Sequence, residues 1–385
     1  MRFAMTHSAD LTARRPDALP VLFLGALVFF SFLFYEIHID AMGLRWAAIG
    51  VVVPCLVGLV LSKGRMEPLT PSLLAIALVF FFYISAAMII ALYKSTIGID
   101  VQDFVARATG QGVIFALIVI AFGKAEVETF LKFFAYGSFA LAVVLIATFF
   151  GLLEPFYQKV SLRGAGWMFD PNYAAGVVGF GVVYFALNGR NRERLLLIPI
   201  LVVALFLTFS KTGLLATLAG IFSAWILSAG AVKRFTALGV LSLILLSGVT
   251  LIELLAENII LLRITSGLNA RGDYWLMALD YIAQRPLTGH SDNAPVEIAR
   301  AFGRINASVH NTYIEAALLG GLIYGFGQAA VVGFGAFVSR KRPNLFGLLV
   351  FVIIVSNSFT VSVGSVGLLP LLLTVLIVAA ARGRS

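Results

Sequence analysis

Four basic side chains lie in the polar segments that separate long apolar runs, and their types suit chemistry on an anionic substrate. They are Arg163, Lys211, Arg271 and His310. An arginine can bind a phosphate through two parallel hydrogen bonds, and a lysine adds a compact positive charge. An imidazole can accept a proton from a hydroxyl group near neutral pH. Gathered at one face of a membrane, these groups would suit an anionic, lipid-linked substrate.

The neighbours of His310 favour it as the proton acceptor. Asn311 follows it directly, and Tyr313 and Glu315 come within about one helical turn. The pair Gly320-Gly321 further on permits close approach between helices. This segment is therefore predicted to begin a helix with a polar cluster at its start.

Each candidate also has an ordinary structural interpretation. Arg271 could be a solvated loop charge, Lys211 could extend its ammonium group towards lipid headgroups, and His310 could be an interfacial polar group. Arg163 and Asn172 lie in a glycine-rich segment whose Asp-Pro-Asn sequence is typical of a turn that begins a helix. A site is therefore predicted from the basic groups as a set, and from none of them alone.

The elements that must position these residues are predicted to be membrane-spanning helices, which makes the fold all-α and polytopic. Of 385 residues, 60% are apolar and 12% are charged, and the mean hydropathy is +0.99. Soluble domains carry about 25% charged residues, and barrel strands would alternate over about 10 residues. Continuous apolar runs instead predict twelve spans. They lie near 20–36, 44–62, 70–93, 104–122, 129–151, 173–188, 194–209, 211–229, 234–253, 313–338, 344–360 and 363–381.

The distribution of positive charge predicts the orientation of these spans. With the N-terminus inside, sixteen Lys and Arg residues fall in cytoplasmic segments and six fall in short outer loops or at span edges. Both termini are then cytoplasmic, and the first apolar run is expected to be an uncleaved anchor. This topology accounts for the net charge of +9, so no nucleic-acid partner is expected. The single cysteine, Cys55, lies in an apolar run and predicts no disulfide framework.

Three regions follow from this topology. Residues 1–253 would hold nine membrane helices with a small outer loop at 152–172, residues 254–311 would form one large periplasmic loop, and residues 312–385 would hold three further helices. No Asp-x-Asp sequence occurs in an outer loop and no two histidines have ligand spacing. We therefore expect neither a metal ion nor a cofactor.

Within the large loop, residues 273–284 have helical periodicity and are predicted to lie on the membrane surface. The apolar stripe of this helix would consist of Trp275, Leu276, Leu279 and Ile282. We assign the stripe to packing rather than to substrate contact.

Several elements together resemble the signature of the O-antigen ligase and polymerase superfamily of bacterial membrane proteins. His310-Asn311 is followed after nine residues by Gly321-Leu322-Ile323-Tyr324, and Ser210-Lys211-Thr212-Gly213 resembles the family's Ser-Arg-x-x turn. Gly166 to Asn172 resembles its Gly-aromatic-x-x-Asn element, and Arg271 to Trp275 with Pro286-Leu287-x-Gly289 resembles its large-loop pattern. The resemblance covers roughly residues 160–330. The chain departs from the family in having Lys211 where arginine is usual and His290 where glycine is common.

This resemblance implies a metal-independent glycosyltransferase of the polytopic GT-C type in the bacterial inner membrane, with its active site facing the periplasm. The implied donor is a glycan on undecaprenyl pyrophosphate. By matching position, Arg163, Lys211 and Arg271 would bind the pyrophosphate, and Arg271 would also act in catalysis. His310 would be the base, or the aligning group, for the acceptor hydroxyl. The residues that would support this site are Asn172, Asn311, Tyr313 and Glu315.

The acceptor decides between two closely related functions. A growing glycan as acceptor would make the protein a polymerase of surface-polysaccharide repeat units, which is the interpretation we favour, with a chain-length co-polymerase as an optional partner. Lipid A-core as acceptor would make it an O-antigen ligase. A transporter or flippase for the lipid-linked sugar is an alternative of another class, and a structural scaffold is a third. A transporter should carry its ionisable groups near mid-membrane, whereas the candidates here cluster at one face.

Overall fold

The computed structural model describes residues 18–36, 42–62, 67–153, 171–229, 259–302, 311–356 and 368–383. Across these ranges the chain forms thirteen helices and no strand. The helices are α1 (Ala18–Glu36), α2 (Met42–Ser62), α3 (Pro71–Thr96), α4 (Gln102–Ala121), α5 (Lys124–Phe149), α6 (Pro171–Asn188), α7 (Asn191–Leu207), α8 (Lys211–Ser228), α9 (Ile259–Gln284), α10 (Ala294–Ala301), α11 (Thr312–Ser339), α12 (Pro343–Ser356) and α13 (Leu368–Arg382).

Eleven of the twelve predicted spans coincide with one of these helices. Each described helix end lies within five residues of its prediction. The ninth predicted span, 234–253, lies outside the described residues. Five described helices, α3, α4, α5, α8 and α11, are long and apolar enough to cross a membrane by length and composition. The fold is thus all-helical and of the membrane type, while the number of twelve spans and the GT-C architecture remain predictions.

Polar residues at the ends of the apolar runs set where helices begin. Thr70 accepts a hydrogen bond from the Leu73 N–H at 3.1 Å and is followed by proline in the first turn of α3. Ser210 accepts from the Gly213 N–H at 3.2 Å at the start of α8. Each side chain satisfies one of the backbone donors that a helix start leaves free. These caps explain why apolar runs and helix bounds agree so closely.

The core of the bundle is built around α13. All fifteen residues of this helix are buried, and it packs against α3, α4, α5, α11 and α12. A helix that is apolar on every side is expected where it has protein rather than lipid around it. The last of the predicted spans is therefore the central one.

One end of the bundle, which we call the inner end, collects the helix ends predicted to be cytoplasmic. The Thr70 hydroxyl donates to the Ala381 carbonyl oxygen at 2.7 Å. The Arg382 guanidinium donates to Glu67 Oε2 at 3.0 Å and to the Val119 carbonyl oxygen at 2.7 Å. The start of α3 and the ends of α4 and α13 thus meet there. Which compartment this end faces remains a prediction.

The opposite end, which we call the outer end, collects the helix ends predicted to be periplasmic. A chain of close contacts links α6, α8, α11, α12 and α13 there. Its members are Gly213 against Ala175, Gly176 against Val355, the Thr312 hydroxyl donating to the Ser356 carbonyl oxygen at 3.0 Å, and the Leu369 N–H donating to the Tyr173 hydroxyl at 3.2 Å. The helix starts that carry most candidate site residues therefore lie together.

The predicted surface helix is longer than expected, and its apolar stripe is corrected by the structure. Helix α9 begins at residue 259 rather than 273. Its buried positions are Tyr274, Ala278 and Ile282, which pack with residues of α10 and α11. Leu276 and Leu279 of the predicted stripe are 64% and 50% exposed. The register is shifted because a small residue, Ala278, faces the neighbouring helix while the larger leucines point outward.

Candidate functional site

Lys211 and Asn172 lie at the outer end, on neighbouring helices. Lys211 is the first residue of α8, half-buried, directly after the capping residue Ser210. The preceding turn is tight, with Phe209 at a positive φ of 49° and 52% exposed. Asn172 is half-buried in the first turn of α6. Because Gly213 contacts Ala175, the two helix starts are adjacent.

The start of α11 contributes the three supporting residues that the sequence predicts there. Asn311 caps the helix, since its Oδ1 accepts from the N–H groups of Tyr313 at 3.0 Å and Ile314 at 3.1 Å. Tyr313 is half-buried and Glu315 is only 5% exposed. The polar cluster is thus part of a well-formed helix start at the outer end. Its carboxylate, Glu315, points into the protein.

Three of the predicted site residues have side chains outside the part of the chain that the structure describes. Arg163 and His310 lie outside the described residues. Arg271 lies within α9, of which the backbone is described at this position. His310 directly precedes Asn311, so its chain position is next to the start of α11. The roles assigned to these residues remain predictions.

Helix α11 is broken in its first half. Gly321 has φ 73° and ψ 177°, which lies outside helical geometry and in a region open almost only to glycine. The break leaves a short N-terminal segment, residues 312–320, that we call the half-helix. In an unbroken helix, the Leu322 N–H would donate to the Leu318 carbonyl oxygen. Here both groups have other partners.

Those partners come from the turn that follows α9, residues 285–290. The Leu322 N–H donates to the Pro286 carbonyl oxygen at 2.7 Å, and the His290 N–H donates to the Leu318 carbonyl oxygen at 2.8 Å. The turn thus occupies the break and satisfies its backbone groups. Two parts of the sequence signature, Pro286 to Gly289 and Gly321 to Tyr324, are therefore in direct contact. We call this contact the joint.

The joint requires glycine at two positions. Gly289 has φ 66°, and a β-carbon there would lie 2.6 Å from the Gly321 nitrogen. A β-carbon on Gly321 would collide with the Leu287 carbonyl oxygen. His290, where the family commonly has glycine, has its Nε2 2.6 Å from the Tyr281 carbonyl oxygen. This contact connects the turn to α9.

Lys94, near the end of α3, contacts both parts of the joint. Its side chain is 1% exposed. The ammonium group donates to the His290 carbonyl oxygen at 2.6 Å and to the Leu319 carbonyl oxygen. It also lies 5.0 Å from the centroid of the Phe104 ring. One cation therefore contacts the turn, the half-helix and α4.

Asp292 connects the same turn to the start of α4. Its Oδ2 accepts from the Phe104 N–H at 3.0 Å, so that it caps a helix from which it is 188 residues distant. Burial raises the pKa of the Asp292 carboxyl group, although Arg107, the Phe104 N–H and Lys94 act in the opposite direction. The region from 285 to 292 is thus held by α3, α4, α9 and α11 together.

The second half of α11 is held by a buried polar network. The Tyr83 hydroxyl lies 2.9 Å from Gln328 Oε1 and 3.2 Å from Gln111 Oε1, and the Tyr324 hydroxyl donates to Gln111 Oε1 at 3.1 Å. The rings of Tyr83 and Tyr324 stack with centroids 4.6 Å apart. This network joins α3, α4 and α11 below the joint. Polar groups at such depth are costly unless they bond to one another, as they do here.

Lys94 and Asp292 are the residues that sequence patterns do not indicate. Lys94 stands out in the sequence only as a charge at a span edge, and Asp292 carries no motif. A lysine directly after an apolar run is a weak signal, because such residues usually extend to headgroups. Among the described residues, no group of three or more histidine, cysteine, aspartate or glutamate side chains is arranged to hold a metal ion.

A family model described as O-antigen ligase matches residues 195–327. The matched segment contains Lys211, Arg271, His310 and the joint, whereas Arg163 and Asn172 precede it. A comparison with curated proteins finds no match. The family match confirms the resemblance of the sequence motifs and supports a ligase or polymerase type of glycosyl transfer between a lipid-linked glycan and an acceptor. Over this segment, about a third of the chain, the protein is similar to the O-antigen ligase family.

Proposed function

We propose that the protein is a glycosyltransferase of the inner membrane that works at the periplasmic face. Its donor is a glycan on undecaprenyl pyrophosphate, and its acceptor is a hydroxyl group of a second glycan. The product is a longer surface polysaccharide, such as O-antigen, capsule or exopolysaccharide. Neither a metal ion nor a cofactor is included in the proposed reaction, because three basic side chains would stabilise the charge on the leaving pyrophosphate.

In the proposed reaction, the acceptor hydroxyl oxygen forms a bond to the anomeric carbon of the donor sugar. The bond between that carbon and the pyrophosphate oxygen breaks, and undecaprenyl pyrophosphate leaves. The hydroxyl proton passes to His310. Arg163, Lys211 and Arg271 stabilise the negative charge that develops on the pyrophosphate. The apolar helices hold the polyprenyl chain, which keeps the sugar carbon near the acceptor.

The observation that supports this proposal most directly is the position of Lys211. It begins α8 at the outer end, where the free N–H groups of a helix start already favour an anion. The start of α11, next to His310, lies at the same end of the bundle. Both helix starts fall within the segment matched by the family model. A phosphate-binding cation and a base are thus expected at the same end of the bundle, beside the starts of two helices that both pack against α12.

The test uses purified full-length protein in nanodiscs with undecaprenyl-pyrophosphate-linked repeat units as the substrate. We expect a ladder of products from the native protein and none from His310→Ala. Lys211→Met should lower turnover by about tenfold or more, because a charge-assisted hydrogen bond is lost, whereas Lys211→Arg should stay within a few-fold of native. Lys132→Met, an exposed lysine on α5, is the matched control.

The outcomes separate the assignments. Near-native activity of well-folded His310→Ala would refute the role of His310 as base. Complete loss in Lys211→Arg would indicate a packing role for Lys211 rather than phosphate binding. If no ladder forms with the native protein, lipid A-core is added as acceptor.

The ligase is the second candidate because the matching family model is described as O-antigen ligase. Transfer that requires lipid A-core would establish it. Absence of transfer to either acceptor would contradict the glycosyltransferase assignment. The alternative function, transport of the lipid-linked sugar, would then be favoured.

A further inference from the structure

We propose that Lys94 is a positioning residue for glycosyl transfer: its buried ammonium group fixes the half-helix, and through Asn311 it positions His310. The link to catalysis rests on the function proposed above. The link to the half-helix rests on the contacts of Lys94 alone. Lys94 does not contact the substrate in this proposal, so it differs in role from Arg163, Lys211 and Arg271.

The first step concerns the carbonyl groups that the break in α11 releases. In a continuous helix the carbonyl oxygens of Leu318 and Leu319 would accept from the N–H groups four residues later. Because Gly321 leaves the helical conformation, Leu318 accepts from the His290 N–H instead, and Leu319 accepts from the Lys94 ammonium group. Without Lys94, the Leu319 carbonyl oxygen would lose this partner in a buried place.

The second step concerns charge. The end of a helix carries a partial negative charge of about half an elementary charge on its free carbonyl groups. The ammonium group of Lys94 lies at this end of the half-helix. It is electrostatically coupled to Asp292, which is favourable, and to Arg285, which is not. The buried position of Lys94, at 1% exposure, is therefore supported by carbonyl dipoles and by one carboxylate.

The third step concerns the polar attachments at the two ends of the half-helix. Nine residues are too few for a helix to be stable without tertiary contacts, since isolated helices shorter than about 12 residues are marginal in water. At its start, Asn311 caps it and Thr312 bonds to Ser356. At its end, it is held by the turn and by Lys94, which also bonds to the turn through the His290 carbonyl oxygen. Lys94 thus bonds to both the half-helix and the turn and holds them in a fixed relative position.

The consequence for catalysis is geometric. Only Asn311 separates His310 from the half-helix, so a shift of that segment would move His310 relative to Lys211 on α8. A misplacement of about 1 Å can lower a rate by about 100-fold without a change in the reacting groups. Loss of Lys94 should therefore lower kcat and leave KM for the donor nearly unchanged, because the proposed phosphate ligands lie on other segments.

The experiment compares full-length Lys94→Met with native protein in nanodiscs, with Lys132→Met as control. Methionine has a similar length and no hydrogen-bond donor, and Lys132 is an exposed lysine on another helix. Hydrogen–deuterium exchange is followed for peptides that cover residues 286–290 and 318–322. We expect about tenfold faster exchange there in Lys94→Met, and native rates in α13 and in the control. With lipid-linked repeat units, kcat should fall by about 100-fold and KM should stay within about threefold.

Several results would overturn the proposal. Unchanged exchange at the joint would show that Lys94 does not hold it, and an unchanged kcat would show that its hold does not matter for transfer. A raised KM with native kcat would make Lys94 a substrate-binding cation instead. If Lys94→Met is not recovered folded, Lys94→Gln replaces it, because the glutamine amide keeps two N–H donors without the charge. We then expect the same faster exchange at the joint and the same fall in kcat, both smaller than in Lys94→Met. Absence of these changes would contradict the proposal.

Failure of the proposed function is distinguishable from failure of this inference. If the native protein transfers no glycan to either acceptor, the glycosyltransferase assignment fails. The exchange measurement needs no substrate and still decides whether Lys94 holds the half-helix.

Discussion

Two lysines near helix ends illustrate how the same side chain takes opposite roles. Lys211 stands at the start of α8, where its charge adds to the positive end of the helix dipole and the two together favour an incoming anion. Lys94 stands beside the end of the half-helix, where its charge is complementary to free carbonyl groups. Lys211 is half-buried and Lys94 is fully buried. The first is therefore suited to bind substrate and the second to hold the fold.

Asp292 gives a testable pH dependence at the residue scale. Burial raises the pKa of this carboxyl group above its ordinary value of 3.8. The folded state therefore binds the proton more tightly than the unfolded chain, so the contribution of this group to stability is complete below pH about 4 and is lost as the pH rises through the folded-state pKa. Asp292→Asn keeps an oxygen that can accept from the Phe104 N–H but does not ionise.

We expect the native protein to lose stability relative to Asp292→Asn as the pH is raised from about 4 to about 7. Thermal unfolding of purified protein in detergent at the two ends and the middle of this range measures the difference. Asp273→Asn is the control, because Asp273 is exposed on α9 and should give no comparable trend. A difference that stays constant across the range would contradict the assignment.

At the scale of elements, the broken helix α11 is the decisive feature. Gly321 adopts a conformation that costs other residues on the order of 1–3 kcal/mol, and a β-carbon there would also meet the Thr288 nitrogen at 2.8 Å. Gly333 lies in the same helix with a helical backbone, and a β-carbon added to it would have no heavy atom within 4 Å. The two glycines thus differ only in their surroundings and conformation.

Gly321→Ala should therefore lower the free energy of unfolding by about 2 kcal/mol or more, whereas Gly333→Ala should leave it unchanged or raise it by up to about 1 kcal/mol. Denaturant or thermal unfolding in detergent, read from circular dichroism, compares the pair. Equal effects of the two substitutions would mean that the break in α11 is not required for stability.

Sequence patterns predict the helices well and the joint hardly at all. Apolar runs bounded by residues such as Thr70 and Ser210 fix helix ends, because both signals act within a few residues of the chain. The predicted apolar stripe of α9 is right for two of its four residues. Ile282 is buried and Trp275 packs against the same cluster, whereas Leu276 and Leu279 are exposed and Ala278 is buried instead. Small size at a contact carries no hydrophobic signal.

The candidate site is predictable as a set of residues but not as a geometry. Gly320-Gly321 indicates close helix approach, and Pro286 to Gly289 indicates a turn. Their direct contact depends on three separate segments, and no local pattern specifies it. Lys94 escapes prediction for the same reason, because its partners are carbonyl groups far away in sequence.

At the scale of the whole molecule, α13 lies at the centre of the bundle, and its C-terminal end is hydrogen-bonded to other segments at the inner end. Its last carbonyl groups, which a helix end leaves free, accept from side chains of other segments. Ala381 accepts from Thr70, and Ala380 accepts from Arg342 at 3.2 Å. Arg382 itself is 8% exposed and reaches Glu67 and the Val119 carbonyl oxygen.

Arg382→Met should destabilise the whole bundle, because it leaves the Val119 carbonyl oxygen without this donor and separates Glu67 from its ion-pair partner. We expect a loss of about 1–3 kcal/mol in the free energy of unfolding. Arg192→Met removes an exposed arginine at the same end and should change it by less than about 0.5 kcal/mol. Thermal unfolding in detergent compares the two, and similar midpoints would argue against a fastening role for Arg382.

The central position of α13 also dictates an order of events during biosynthesis. Chains emerge from the ribosome in sequence order, so α3, α4 and α5 are in the membrane long before the helix that they enclose has been made. Their contacts with Leu368–Arg382 can form only after this last helix has been synthesised. Completion of the core is therefore a late step, and a chain that stops before residue 368 lacks the helix around which the others pack.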